Sequence, residues 1–310
     1  MDKKIISLSL LIICFIFSCK KDKPAPPEPE ADFAGCKITS ITVTRGGSRY
    51  IGNAIYYKNN QLYSIYTTNQ NDFVLTHYYN QYKFSGSRLI EVGHVEDEKY
   101  TKDRTINYDV NGRVILLRYI SAVDGISSIN HELFYDNNGL CSYVLGSNTF
   151  VINGIINNYK TDSIVFTDYT PGGSPQLVER YIIDSTGMYE KNRRLKFEYD
   201  IHGNVVKKYT GLNDQLTAEY EYDMTYAYNE EYIKLQESLL WSPFLLVDFG
   251  LFPRDEVGKY PLKRKTLYDQ QGASSVYNFD NTFDNNGRFV SQTFKTASLT
   301  ETTDYNYNCK

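Results

Sequence analysis

One short pattern recurs along this chain: an aromatic residue, an aspartate, two further residues and a glycine. It appears as Tyr108-Asp109-Val110-Asn111-Gly112, Tyr135-Asp136-Asn137-Asn138-Gly139 and Tyr199-Asp200-Ile201-His202-Gly203. It returns as Tyr268-Asp269-Gln270-Gln271-Gly272 and Phe283-Asp284-Asn285-Asn286-Gly287, with weaker copies starting at Tyr57, Tyr82 and Ile183. The aspartate accepts backbone N–H groups at the entry of a tight turn, and the glycine takes the left-handed conformation that closes it. Gly112, Gly139, Gly203, Gly272 and Gly287 are therefore expected at positive φ. Flanking segments alternate as strands do: Leu195, Phe197 and Tyr199 against Lys196 and Glu198, and Ala218, Tyr220 and Tyr222 against Glu219 and Glu221. Such alternation favours antiparallel sheet with one buried and one wet face.

Composition agrees. The 310 residues include 29 Tyr and only 3 Met, so a helical bundle is disfavoured. The sequence predicts an all-β fold, an antiparallel array of hairpins forming a curved or twisted open sheet, repeat-like. The first four motif starts, at 57, 82, 108 and 135, are evenly spaced and suggest a repeat unit. Two segments interrupt it. Residues 151–180 contain the loop Thr170-Pro171-Gly172-Gly173-Ser174-Pro175, and a short helical insertion is predicted near 229–256. The insertion is the most apolar stretch after the N-terminus. It either caps the sheet or exposes the only tryptophan, making Trp241, Phe244 and Phe249 the candidate contact surface.

The N-terminus reads as an address. Asp2-Lys3-Lys4 precedes a run of about a dozen apolar residues, the pattern of an export signal. Ile16-Phe17-Ser18-Cys19 resembles the bacterial lipobox, which implies a signal peptide at 1–18 and lipid attachment at Cys19. Residues 19–34 read as a Pro-rich tether and 35–310 as a single domain. The resemblance implies an outer-membrane location, on the periplasmic or the surface side. The Tyr-Asp-x-x-Gly units resemble YD repeats of the Rhs type and degenerate versions of them in lipoproteins of the Bacteroidota. No toxin domain follows, so an Rhs-type shell is not expected.

Export places the cysteines in an oxidising compartment. Cys36, Cys141 and Cys309 remain after Cys14 and Cys19 are set aside, an odd number. A Cys36–Cys309 bridge would tie the ends of the domain together, with Cys141 as a buried strand residue.

Chemical motifs are scarce. His77, His94, His131 and His202 have no zinc-ligand spacing, and solvated or hydrogen-bonded roles are expected for them. No phosphate loop, nucleophile elbow or dinucleotide fingerprint is present. No cofactor and no metal is implied. A net charge of −4 without a long basic run argues against nucleic-acid binding. Two functions remain: a non-catalytic lipoprotein that binds or scaffolds a glycan or protein partner, or a hydrolase of envelope glycans or peptides using pairs such as Glu96-Asp97-Glu98, Glu230-Glu231 or Asp255-Glu256.

Overall fold

The computed structural model describes residues 35–309 except 71–74, 97–98, 122–126, 153, 185, 231, 234, 236–258 and 297. The first strands are β1 (Cys36–Arg45), β2 (Ser48–Lys58), β3 (Gln61–Gln70), β4 (Leu75–Ser85), β5 (Arg88–Glu96) and β6 (Lys99–Tyr108). There follow β7 (Val114–Ile120), β8 (Ser128–Tyr135), β9 (Cys141–Ile152), β10 (Ile155–Tyr169), β11 (Pro175–Ile183) and β12 (Tyr189–Tyr199). The last are β13 (Val205–Thr210), β14 (Gln215–Tyr222), β15 (Leu262–Tyr268), β16 (Ser274–Phe283), β17 (Phe289–Lys295) and β18 (Thr300–Cys309).

Every strand pairs antiparallel with its neighbours in sequence, and β18 returns to pair with β1 from Cys36↔Cys309 to Arg45↔Glu301. The fold is a closed 18-stranded barrel, which corrects the expected open, repeat-like sheet. The physical reason is the edge. An open sheet of this length would leave two rows of unpaired N–H and C=O groups, and closure removes both. An even strand number lets the ends meet antiparallel. The expected helical insertion near 229–256 is described only at its start: Glu230, Tyr232, Ile233 and Leu235, between β14 and β15, have helical backbone, and 236–258 lies outside the described residues.

The recurrent motif is turn chemistry rather than a stacked unit. In the turns at Asp109, Asp136, Asp200 and Asp284, the aspartate N–H donates to the carbonyl four residues on, and the glycine N–H donates back to the aspartate carbonyl. The carboxylate accepts two more N–H groups, as Asp200 Oδ1 does from His202 and Asn204 at 2.9 Å. Gly112, Gly139, Gly203, Gly272 and Gly287 lie at φ between 74° and 84°. The expected loop at 170–175 forms the same turn, with Thr170 in the aspartate's place.

These turns sit at one rim, the rim that also holds Cys36 and Cys309, because each joins an even strand to the next odd one. There tyrosines near the ends of even-numbered strands, several of them motif residues, point inward and clasp the preceding hairpin. Tyr108 donates to Leu89 O (2.7 Å), Tyr135 to Val114 O (2.7 Å), Tyr199 to Pro175 O (2.7 Å) and Tyr222 to Val205 O (2.8 Å). Tyr57 does the same to Ile38 O, Tyr169 to Cys141 O and Tyr307 to Phe289 O. Asn281 takes this role on β16, donating to Leu262 O. The two motif copies at Ile183 and Tyr268 fall at the opposite rim, and Tyr268 instead donates to Glu219 on the outer face.

Candidate binding site in the barrel interior

The inward face changes character along the barrel. Within three or so residues of the tight-turn rim it is apolar: Ile38, Leu89, Leu117, Leu133, Val178, Phe197 and Phe289 are all buried. Tyr228, Tyr232 and Leu235, from the connection between β14 and β15, are buried in the same cluster. Tyr232 packs edge-on against Phe289 and Tyr305 at 5.1 Å. Burial raises the Tyr228 and Tyr232 hydroxyl pKa values, so both stay neutral.

One step further from that rim, the inward positions become polar and basic. Register places Arg104 opposite Tyr119, Arg180 opposite Arg193, and Lys265 opposite Tyr220, all on the buried face of their strands. The Arg104 guanidinium lies over the Tyr119 ring, and the Lys265 ammonium over the Tyr220 ring. Lys208 joins them on β13, opposite Ala218. Among the described residues the opposing charges on this face are Asp103 and Asp162 within the belt, with Glu190 and Glu301 nearer the far rim. Asp162, almost fully buried, accepts from Arg180 Nε at 2.9 Å and from Thr161 Oγ1 at 3.0 Å. Asp103 meets His94 Nδ1 at 2.8 Å.

His131 stands at the centre of this belt. It is 2% exposed, lies edge-on to Tyr119, and its Nδ1 has no hydrogen-bond partner among the described residues. Of the solvated or hydrogen-bonded roles expected for it, burial excludes the solvated one, because β8 turns it inward opposite Gly146. Burial depresses its pKa, the Asp162 carboxylate opposes that shift, and Arg180 adds to it. Gly146 is what admits Asp162: a Cβ there would stand 1.8 Å from Asp162 Oδ1. Asp162, Arg180 and Gly146 escaped sequence reasoning, since nothing local distinguishes them from ordinary strand residues.

The outward face carries charged pairs beside apolar side chains such as the stacked Phe134 and Tyr143. Oppositely charged residues face each other across strands: Lys83 and Glu91 (2.5 Å), Lys207 and Glu219 (3.8 Å), and Glu221 and Arg264 (3.4 Å). Glu179 is held by Lys191 at 2.6 Å and faces Arg194 at 3.8 Å. A membrane-spanning barrel needs an apolar outer band roughly 25 Å tall, and charges at its middle are costly. Along β11–β14 this wall carries charge at mid-strand instead.

The remaining sequence candidates are placed as follows. Cys36 and Cys309 are joined by a disulfide, as register partners on β1 and β18. Cys141 is a buried free thiol, its pKa pushed up by burial to about 12. Cys19, Trp241, Phe244 and Phe249 lie outside the described residues, as do Asp97, Glu98, Glu231, Asp255 and Glu256 of the acidic pairs. Among the described residues no group of three His, Cys, Asp or Glu side chains is arranged to hold a metal. An open depression at the foot of β14–β16, lined by Tyr222, Asp223, Lys263, Phe279 and Asn281, adjoins the connection after β14.

No family model matches the chain. No curated protein matches it either. Among solved structures it is similar to a porin-like protein from Bacteroides uniformis, at TM-score 0.43 and 9% identity over 87% of this chain and 98% of that one. A porin-like protein from Bacteroides vulgatus gives 0.41 and 12% over 88% and 98%. A TcdB2–TccC3–Cdc42 structure gives 0.23 and 11%, covering 83% of this chain but 16% of that one. None of these likenesses defines the fold, which rests on the strand pairing.

Proposed function

We propose that the protein is an exported, non-catalytic envelope barrel, held at the outer membrane by lipid on Cys19 and standing beside the bilayer rather than through it. The observation that carries the second half is the outward wall, where Glu179 faces Arg194 and Lys207 faces Glu219 at mid-strand positions. The lipobox-like Ile16-Phe17-Ser18-Cys19 and the tether behind it support the first half. The interior is the binding surface. Its apolar floor blocks one end, and above it Arg104, Arg180, Arg193, Lys208 and Lys265 outnumber Asp162 and Asp103. An acidic glycan or peptide segment matches that charge, and the neighbouring tyrosine rings suit a sugar face.

Fractionation of Cys19→Ala cells separates the anchoring modes. A barrel held by lipid alone leaves the membrane fraction in this variant. Retention of Cys19→Ala in the membrane, resistant to high salt, would mean that the wall itself is inserted and would end the proposal. Titrating the released protein with acidic and neutral oligosaccharides, followed by tyrosine fluorescence, tests the ligand class. Acidic chains should bind, and more weakly to Arg193→Gln.

A further inference from the structure

Strands β9 and β10 run past their neighbours. β8 accompanies β9 only as far as Thr149, and β11 accompanies β10 only as far as Asp162. Residues 150–152 and 154–161 therefore stand off the rim opposite the disulfide as a two-stranded flange. On the side where β11 has ended, residues 155–161 have no ladder partner among the described residues. The flange is apolar and open to water: Phe150 is 44% exposed, Ile155 65%, Ile156 60% and Tyr159 53%. Natural sheets blunt such edges with charge or proline. Residues 155–161 carry no proline and a single charge, Lys160, near the end of the edge.

We propose that this edge pairs antiparallel with the same strand of a second copy, joining two flanges into a four-stranded sheet across a two-fold axis. A lipid surface is the poorer occupant, because hydrocarbon would leave the edge N–H and C=O groups without partners. A strand supplies them. A two-fold axis normal to the sheet keeps each face on its own side, so residues facing each other must share a face. Pairing centred on Asn157 meets that condition and sets Ile155 opposite Tyr159, Ile156 opposite Asn158 and Lys160 opposite Gly154. No like charges meet, and an aromatic residue faces a β-branched one on each side of the axis. The overlap is short, so the dimer is a weak one.

Sedimentation velocity on the full chain carrying Cys19→Ala, so that lipid drives no association, reads the dimer directly. The expected result is reversible dimerisation as the concentration rises toward ~100 µM, the regime of small interfaces. The pair Ile155→Lys with Tyr159→Lys should make the chain monomeric, as should Ile155→Glu with Tyr159→Glu. Mixing the two should restore a heterodimer, since lysine then faces glutamate twice. Unchanged thermal melts of both variants show that the barrel is intact. A wild-type chain that stays monomeric over this range, or a dimer indifferent to both variants, overturns the proposal. So does failure of the mixed pair to associate. The outcome is independent of the interior-binding reading, which none of these residues enters.

Discussion

At the scale of the residue, the motif aspartates and tyrosines do different work. The carboxyls of Asp109, Asp200 and Asp284 lie below the usual range although partial desolvation, the largest single influence, pushes them up; hydrogen bonds from the turn together outweigh it. Their folded forms bind protons more weakly than the unfolded chain. The stability they confer is therefore present above pH 3.8 and lost as pH falls below it. His131, depressed by burial, has the same sign at higher pH: its contribution is complete above 6.5 and lost below. Buried tyrosines act at the other end. Tyr82 and Tyr135 are raised by desolvation to about 12, so their contribution holds below pH 10 and fades as pH climbs past it. A thermal melt series should show both limbs, and His131→Gln should lose the one that begins at 6.5. Tyr199→Phe leaves Pro175 O without its donor and should cost about 1 kcal/mol. That corresponds to roughly 1.5–2 °C in a chain of this size. Tyr268→Phe, whose hydroxyl serves an outer-face glutamate, should leave the melting temperature close to unchanged.

At the scale of the element, strand character was legible in the alternation, and most turns in Asp-x-x-Gly. The face each strand turns inward is less so. Bulges shift the register at Lys160/Asp162, Arg180/Tyr181 and Lys208/Tyr209, and each one changes which residues share a side. This is how Asp162, Arg180 and His131, separated along the chain, come onto one patch. Gly146 holds that patch open. Gly146→Ala puts a methyl group where Asp162 Oδ1 sits and breaks a buried, charge-assisted pair. The expected loss is about 3 kcal/mol, measured by denaturant unfolding. Ser147→Ala on the adjacent residue serves as the control and should be close to neutral.

At the scale of the whole molecule, the decisive contact is β1 with β18, residues more than 250 apart in sequence. The Cys36–Cys309 bridge sits at the end of that ladder and spans 273 residues. In the chain-entropy account its removal costs about 5 kcal/mol, with measured values often smaller. Cys36→Ser with Cys309→Ser should therefore melt well below the oxidised protein. Alkylation of both thiols in oxidised, denatured wild-type chain would show that the bridge does not form. The sequence by itself determined the secondary structure, the turn type and the pairing of hairpins, because these depend on residues a few positions apart. It did not reveal that Tyr199 clasps a neighbour inside while Tyr268 faces out, since both stand in the same five-residue motif. Closure, the basic interior and the charged wall were decided only by tertiary structure. Whether a twisted antiparallel sheet stays open or meets itself depends on summed strand number, twist and bulges, and no local pattern records that sum.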